Sequence, residues 1–343
     1  MNVLAAPDSF KGTCSAPEVA ASIAEGAADA GWEAVSCPMS DGGEGFAEVL
    51  ASASRSRGNE RDGTWELSTV TGPLGSPVRA RWWWSPPDAV VECATASGLV
   101  LAGGAEGNDP VKATSRGTGE LVVAAIRAGA KRVLVGLGGS ASTDGGRGAV
   151  EALTEAGGIG AAEVVAACDV TCPFVEAAKR FGPQKGASAE QIGVLRRRLE
   201  RYAGEYLEQF GVDVTKLPYA GAAGGLGGGL AALGARLVSG FGVVADEVSL
   251  EERARSAQLV VTGEGSLDVS SWSGKVVGGV VEVARRVGVH VLVVAGTIGS
   301  GDGSLRNDRV SVESLSERFG AERARSEPGD SVRDLVREYL ART

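Results

Sequence analysis

Four short segments of this chain place acids, hydroxyls and lysines among glycines. The first is Ala6-Pro7-Asp8-Ser9-Phe10-Lys11-Gly12, with a carboxylate, a hydroxyl and an ammonium within four residues. Asp8 has the chemistry to accept a proton or to hold Mg²⁺, and Lys11 can neutralise phosphate charge while a phosphoryl group moves. The second, Ser40-Asp41-Gly42-Gly43-Glu44-Gly45, offers two carboxylates to a hard cation. The third runs from Gly136 through Gly138, Gly139, Ser140, Ser142, Thr143 and Asp144 to Gly146. Such an amide-rich turn can cradle an anion at a helix N-terminus. It lacks the Gly-Lys-Ser/Thr ending of a Walker A loop and does not match the dinucleotide fingerprint. The fourth, Thr262-Gly263-Glu264-Gly265-Ser266-Leu267-Asp268, adds two more carboxylates, with Gly274-Lys275 downstream. Smaller loops at 92–98, 114–120, 181–186 and 221–229 add further candidates. Each motif also has a plainer reading: a capped turn with a surface lysine, or acids facing a helix dipole. Together they suit Mg²⁺-dependent phosphoryl transfer, where positioning and charge neutralisation dominate.

The elements that must position these loops read as alternating strands and helices. Val3–Ala6 is an apolar run. Ser15 can cap a helix with Pro17 in its first turn and Glu18 three residues after the cap. Val19, Ile23 and Ala27 follow on one face. A second strand is expected at 34–38 and a helix at 45–52. This alternation predicts an α/β sheet, in which ligands bind beyond the carboxyl ends of the strands, where the loops at 7–12 and 40–45 lie. Residues 53–64 read as an exposed polar loop. The pattern then changes to strands at 64–70, 77–84 and 89–94, joined by Gly/Pro turns. Trp82, Trp83 and Trp84 read as core or interface packing. Alternation resumes with a helix near 117–129, a strand at 132–136, a helix near 145–156 and a strand at 163–168. A long amphipathic helix covers 189–210. Strands at 259–262 and 290–295 flank a helix at 274–287, and a last helix spans 330–341.

Composition excludes several classes. The 343 residues are 43% hydrophobic and 22% charged, which describes a globular chain rather than a disordered one. Glycine supplies 52 residues, roughly twice the usual share, without a Gly-X-Y period. The net charge of −9 argues against nucleic acid and anionic membranes as partners, since both reward lysine and arginine clusters. The uncharged stretch 217–235 is too glycine-rich for a membrane span and reads as a loop and a tightly packed helix. The five cysteines, with no leader before Asn2, suggest reduced thiols in the cytoplasm. Cys168 and Cys172 lack the second pair that a zinc site needs. His290 is the one histidine, which argues against a Ser-His-Asp hydrolase.

The order of motifs resembles the type-1 glycerate kinases, the bacterial group that phosphorylates D-glycerate with ATP. The segments that carry the resemblance are APDSFKG at 6–12, PMSDGGEG at 38–45, E-x-A-x-ASGL at 92–99 and GTGEL at 117–121. They continue with GLGGSAS-x-DGG at 136–146, CDVT at 168–171, FGPQKGA at 181–187, GAAGGLGGGL at 221–230 and TGEG-x-x-D at 262–268. The resemblance implies two α/β domains with an interdomain cleft. One is Rossmann-like and discontinuous, over 1–72 and 245–343; the other is inserted, over 73–244. It implies ATP and Mg²⁺ as cofactors and a small-molecule substrate, with a homodimer as an open assembly. Asp8, Lys11, Asp41 and Asp268 are the catalytic candidates. Ser9, Arg116, Gly138, Gly139, Ser140, Lys185, Ser266 and Lys275 are the substrate- or phosphate-binding candidates, and Asp41, Glu44 and Glu264 the metal candidates. The chain departs from the family pattern at Ser266 and Leu267, where Arg and Ile are usual. It departs again at Ser270-Ser271 for Gln-Thr, Thr143 for Asn, Ser115-Arg116 for Thr-Tyr, Cys172 for Asn and Phe46 for Thr. These losses remove hydrogen-bonding and bidentate groups, and Arg116 can supply a relocated cation. D-glycerate is the default acceptor. Another small polyol, sugar or cyclitol is the alternative, as is a homologue that binds ligand without turnover.

Overall fold

The computed structural model describes residues 1–56, 63–272, 275–299 and 308–342. Part of the loop expected at 53–64, and Gly274, lie outside the described residues. The chain divides into two compact units. One comprises Met1–Asp41, Glu48–Ala53 and Phe241–Thr343; the other comprises Gly42–Ala47 and Ser54–Gly240.

The first unit is built on a five-stranded parallel sheet. Its strands are β1 (Asn2–Ala5), β2 (Glu33–Ser36), β9 (Leu259–Leu267), β10 (His290–Ile298) and β11 (Val310–Ser314), in the order β11-β10-β9-β1-β2. Strand residues alternate between two covered faces. Val3, Ala5, Val261, Leu292 and Val294 share one core with the helices Ala16–Asp29 and Pro328–Leu340, whereas the equally buried Leu4, Val260 and Val293 point the other way. The helix Ala16–Asp29 starts with a full capping box: Ser15 Oγ accepts from the Glu18 amide, and the Glu18 carboxylate accepts from the Ser15 amide. Its Gly26 lets the C-terminal helix approach closely, because a Cβ there would stand 2.4 Å from the Arg333 carbonyl oxygen.

The second unit carries a six-stranded mixed sheet, β3 (Thr64–Thr71), β4 (Pro77–Ser85), β5 (Asp88–Glu92), β6 (Arg132–Gly136), β7 (Glu163–Cys168) and β8 (Arg236–Ser239), in sequential order. The first two pairings are antiparallel and the rest parallel. The strand expected to run to Ala94 stops at Glu92, and Cys93–Ser97 turns into a short helix instead. Trp82 and Trp83 are buried, and Trp82 Nε1 donates to Ser68 Oγ. The helices Arg116–Arg127 and Ala222–Ala232 complete a core with Val91, Leu121, Val133 and Leu226. A separate cluster under the helix Ala189–Phe210 gathers Phe174, Leu195, Leu199 and Tyr206. No helix among the described residues is long and apolar enough to cross a membrane.

Candidate active site

In the first unit the candidate loops leave the carboxyl ends of adjacent strands. Past β1 the chain stays on β9: the Ala6 amide donates to the Val261 carbonyl and the Asp8 amide to that of Gly263. The Cys37 and Met39 amides donate to Ala5 and Pro7, so the chain leaving β2 follows the same edge. Parallel pairing thus brings Asp8, Asp41 and Glu264 together from three distant stretches of sequence. Asp8 is buried at 7% exposure, and its Oδ1 accepts from the Ser9 amide at 2.7 Å and the Ser9 hydroxyl at 3.4 Å. Its Oδ2 accepts no hydrogen bond among the described residues. Burial, with the Asp41 charge second, pushes the Asp8 carboxyl up to about 7, although the Ser9 amide and Lys11 oppose this. A carboxyl held in that range can exchange a proton near neutral pH.

Glu264 is also raised, chiefly by burial, against hydrogen bonding from Ser271 and the charges of Lys275 and Lys11; Asp268 adds to the rise. Its Oε1 is buried and has no partner among the described residues. Lys11 and Asp268 are exposed at the edge of this group. Ser266 is exposed and shares a hydrogen bond with Thr297 of β10, 3.3 Å away. No three His, Cys, Asp or Glu side chains among the described residues form a ready metal cage. Mg²⁺ on a nucleotide does not require one, since it usually keeps waters and substrate phosphates beside one or two carboxylates. Crowded acids with an orphaned Glu264 oxygen fit that smaller demand. Glu44 is exposed and belongs to the segment grouped with the second unit.

The second unit holds the glycine-rich loop that follows β6. Lys185 enters beneath it from the short turn Pro183–Lys185 and is buried at 2% exposure. Its Nζ donates to Ser140 Oγ at 2.8 Å and to the Ser142 carbonyl at 2.5 Å. The Ser140 oxygen therefore accepts from Lys185, which leaves its own O–H available to donate to another group. Asn108 braces the arrangement by donating from Nδ2 to the carbonyls of Ala141 and Lys185. Burial lowers Lys185 from 10.5 to about 8, with Cys93 and Asp144 acting in the opposite direction. Ser142 Oγ, Thr143 Oγ1 and Asn108 Oδ1 are buried with no partner among the described residues.

The remaining candidates are placed less simply. The Gly138 amide is spent on the Gly42 carbonyl, 3.1 Å away, so it is not a donor for an anion. Its lack of a side chain is nevertheless required, because a Cβ would stand 2.4 Å from the Gly43 Cα. Gly139 sits exposed with φ of +71°, a conformation that favours glycine. The Arg116 guanidinium is matched by two carboxylates, with Nε at 3.0 Å from Glu120 and NH2 at 2.5 Å from Glu155. Sequence reasoning assigned no role to Glu92, whose buried carboxylate accepts from the Ala47 amide at 2.7 Å and so anchors the start of the helix Phe46–Ser56. Asn108 falls in no motif, and Asp144 is quoted within the glycine-rich motif without a role of its own. An isolated acid between Thr143 and two glycines was the available signal for the latter.

A buried acid beside a lysine in the first unit and an amide-rich loop over a buried ammonium in the second are groups that a small-molecule kinase on an α/β scaffold can use. The family model described as "Glycerate kinase family" matches residues 3–156 and 157–341. Glycerate 2-kinase of Escherichia coli K12 is 42% identical over 334 residues, spanning 87% of this chain and 86% of that protein. Glycerate kinase of Bacillus subtilis 168 is 37% identical over 334 residues, spanning 87% and 85%. A crystal structure assigned as glycerate kinase 2 of Salmonella typhimurium LT2 superposes with a TM-score of 0.78 at 33% identity, covering 100% of this chain and 98% of that one. The chain belongs to the glycerate kinase family, and it is a kinase.

Proposed function

We propose that this kinase transfers the γ-phosphoryl group of ATP to a hydroxyl of D-glycerate, in the cytoplasm, with Mg²⁺ as cofactor. The observation that carries this reading is Asp8. In a chain of this family, it is a buried carboxylate with one oxygen open, set beside Lys11, Asp41 and Glu264. In the proposed step the open oxygen of Asp8 takes the proton from the acceptor hydroxyl. The deprotonated acceptor oxygen forms the new bond to the γ-phosphorus while the bond from that phosphorus to the ADP oxygen breaks. Ser9 keeps the Asp8 carboxyl oriented through its amide and hydroxyl. Lys11 and Lys275 offset negative charge around the acids as it spreads over the phosphoryl oxygens.

Asp41 and Glu264 are the residues to hold Mg²⁺, with Asp268 at the rim; bound there, the ion would screen phosphate charge. The second unit binds an anionic group of the substrates through the hydroxyl of Ser140, which Lys185 orients. Arg116 has no part in this reading, because Glu120 and Glu155 already balance its charge.

Incubation with ATP, MgCl₂ and D-glycerate, followed by ³¹P NMR, is expected to show a phosphoglycerate and ADP. The exposed hydroxyls of Ser266 and Thr297 favour one second reading, in which a neutral polyol, sugar or cyclitol is the better acceptor. A product from one of those and none from glycerate would establish it.

A further inference from the structure

Asp144 stands out among the buried groups that this reaction scheme leaves unused. It is buried at 7% exposure, and its carboxylate collects four hydrogen bonds from two different segments. The Ser115 amide and hydroxyl both donate to Oδ2 at 2.8 Å, the Gly148 amide donates to the same oxygen at 3.2 Å, and the Gly146 amide donates to Oδ1 at 3.2 Å. Ser115 Oγ in turn accepts from the Ala149 amide, so a single acid pins the start of the helix Arg116–Arg127 to the start of the helix Arg147–Glu155. The residues between Ser140 and Asp144 hang from this knot. Lys185 holds the other end of the same stretch through Ser140 and Ser142. On the far side, the Gly145 amide donates to the Gly224 carbonyl and its own carbonyl accepts from the Tyr206 hydroxyl.

Two titratable groups face Lys185, namely Cys93 at the start of the helix Cys93–Ser97 and Asp144 in the loop. Burial pushes the Cys93 thiol up to about 11, so it is neutral where Lys185 titrates, near 8. Asp144 is the carboxylate that, with Cys93, opposes the effect of burial on the Lys185 ammonium.

We propose that Asp144 is a positioning residue for the transfer reaction, one carboxylate that both shapes the 140–146 loop and supplies the counter-charge for Lys185. Without it, Lys185 would shed its proton more readily and its hydrogen bond to Ser140 would lose its charge assistance. The inference rests on the reading that Ser140 and Lys185 bind an anionic substrate group.

The test follows the lysine itself. The chain has only seven lysines, so ¹³C-lysine labelling of the full chain gives few signals, and Lys185→Met assigns the one of interest. Asp144→Asn is expected to lower the Lys185 titration midpoint by about half a unit or more. It should shift the alkaline limb of kcat/KM by the same amount and cut kcat/KM at least about tenfold. Ser115→Ala keeps the charge while breaking one hydrogen bond, so it should leave both midpoints in place. It also serves as the second probe should Asp144→Asn fold poorly, since a limb that moves in Ser115→Ala overturns the charge argument. A lysine midpoint and alkaline limb unmoved in folded Asp144→Asn, with activity lost in Lys185→Met, would overturn the positioning role alone. Full activity in Lys185→Met would instead overturn the anion-site reading beneath it.

Discussion

Replacing Lys185 by methionine should separate what this residue does for the fold from what it does for the reaction. The fall from 10.5 to about 8 means that the charged form is disfavoured in the folded chain by about 3 kcal/mol relative to water. Methionine has a similar length and removes that cost. It also strips the Ser142 carbonyl and the Ser140 oxygen of their shared donor, a loss of about 1–3 kcal/mol. The variant should therefore match the wild type in stability or gain up to about 2 kcal/mol, which for a unit of this size raises Tm by roughly 2–4 °C per kcal/mol. Activity should move the other way. A charge-assisted hydrogen bond lost from the transition state costs about 1.5–3 kcal/mol, or roughly 10- to 100-fold in kcat/KM.

The pH dependence follows with a definite sign. Lysine in the unfolded chain keeps its proton to about 10.5 and in the folded chain only to about 8, so between these values the unfolded state binds more protons. The wild-type stability advantage from this group is complete above 10.5 and is lost as pH falls through 8, while kcat/KM declines as pH rises through 8. Calorimetric melts and initial rates from pH 6.5 to 9.5 on both proteins measure all of this. A variant destabilised by several kcal/mol, whose activity loss merely follows its unfolded fraction, would refute the reasoning.

Other consequences concern the scaffold. Gly119→Ala would put a Cβ 2.6 Å from the Cα and carbonyl oxygen of Ala149, where two helices cross, and backbone cannot yield as a side chain can. It should destabilise the protein by about 2–3 kcal/mol, read as a lower midpoint in urea. Ser15→Ala removes the capping box at the helix Ala16–Asp29 and should cost about 1 kcal/mol by the same measurement, with turnover per folded molecule unchanged.

Local signals were legible wherever a physical rule acts over a few residues. The Ser15–Glu18 box, the long helix beginning at Ser188 with its own box, and the strands at Arg132–Gly136 and Glu163–Cys168 all lie where the pattern places them. The strand β8 went unread because Arg-Leu-Val-Ser is too short to show a period. β11 was missed although Val310 and Val312 alternate with polar residues. The helix Ala222–Ala232 was expected only loosely. Its first turn passes through Ala223, Gly224 and Gly225 at positive φ, wrapping the Ser142–Gly145 stretch so closely that a Cβ on Gly224 would stand 2.1 Å from the Ser142 oxygen. Such closeness belongs to tertiary packing, and no local rule announces it.

The motifs themselves named Asp8, Asp41 and Glu264 as acids worth attention. What sequence could not show is that Ser9 occupies one Asp8 oxygen and leaves the other open, or that Asp41 ranks next to burial in raising it. Nor could spacing show that Gly138 has already spent its amide, that Arg116 is neutralised by two glutamates, or that Asp144, quoted within a motif, ties two helices together. Gly42, Glu155 and Ser115 lie dozens of residues from these partners, whereas Glu120 sits one helical turn from Arg116, within reach of spacing.

The most direct measurement of the central claim is single-turnover phosphoryl transfer from ATP to D-glycerate by wild type and Asp8→Asn, with folding of the variant checked by its melt. An amide in place of the open carboxylate cannot take the hydroxyl proton, so the transfer rate should fall by at least about a hundredfold while nucleotide still binds. A folded Asp8→Asn enzyme that forms phosphoglycerate at the wild-type rate would contradict the account.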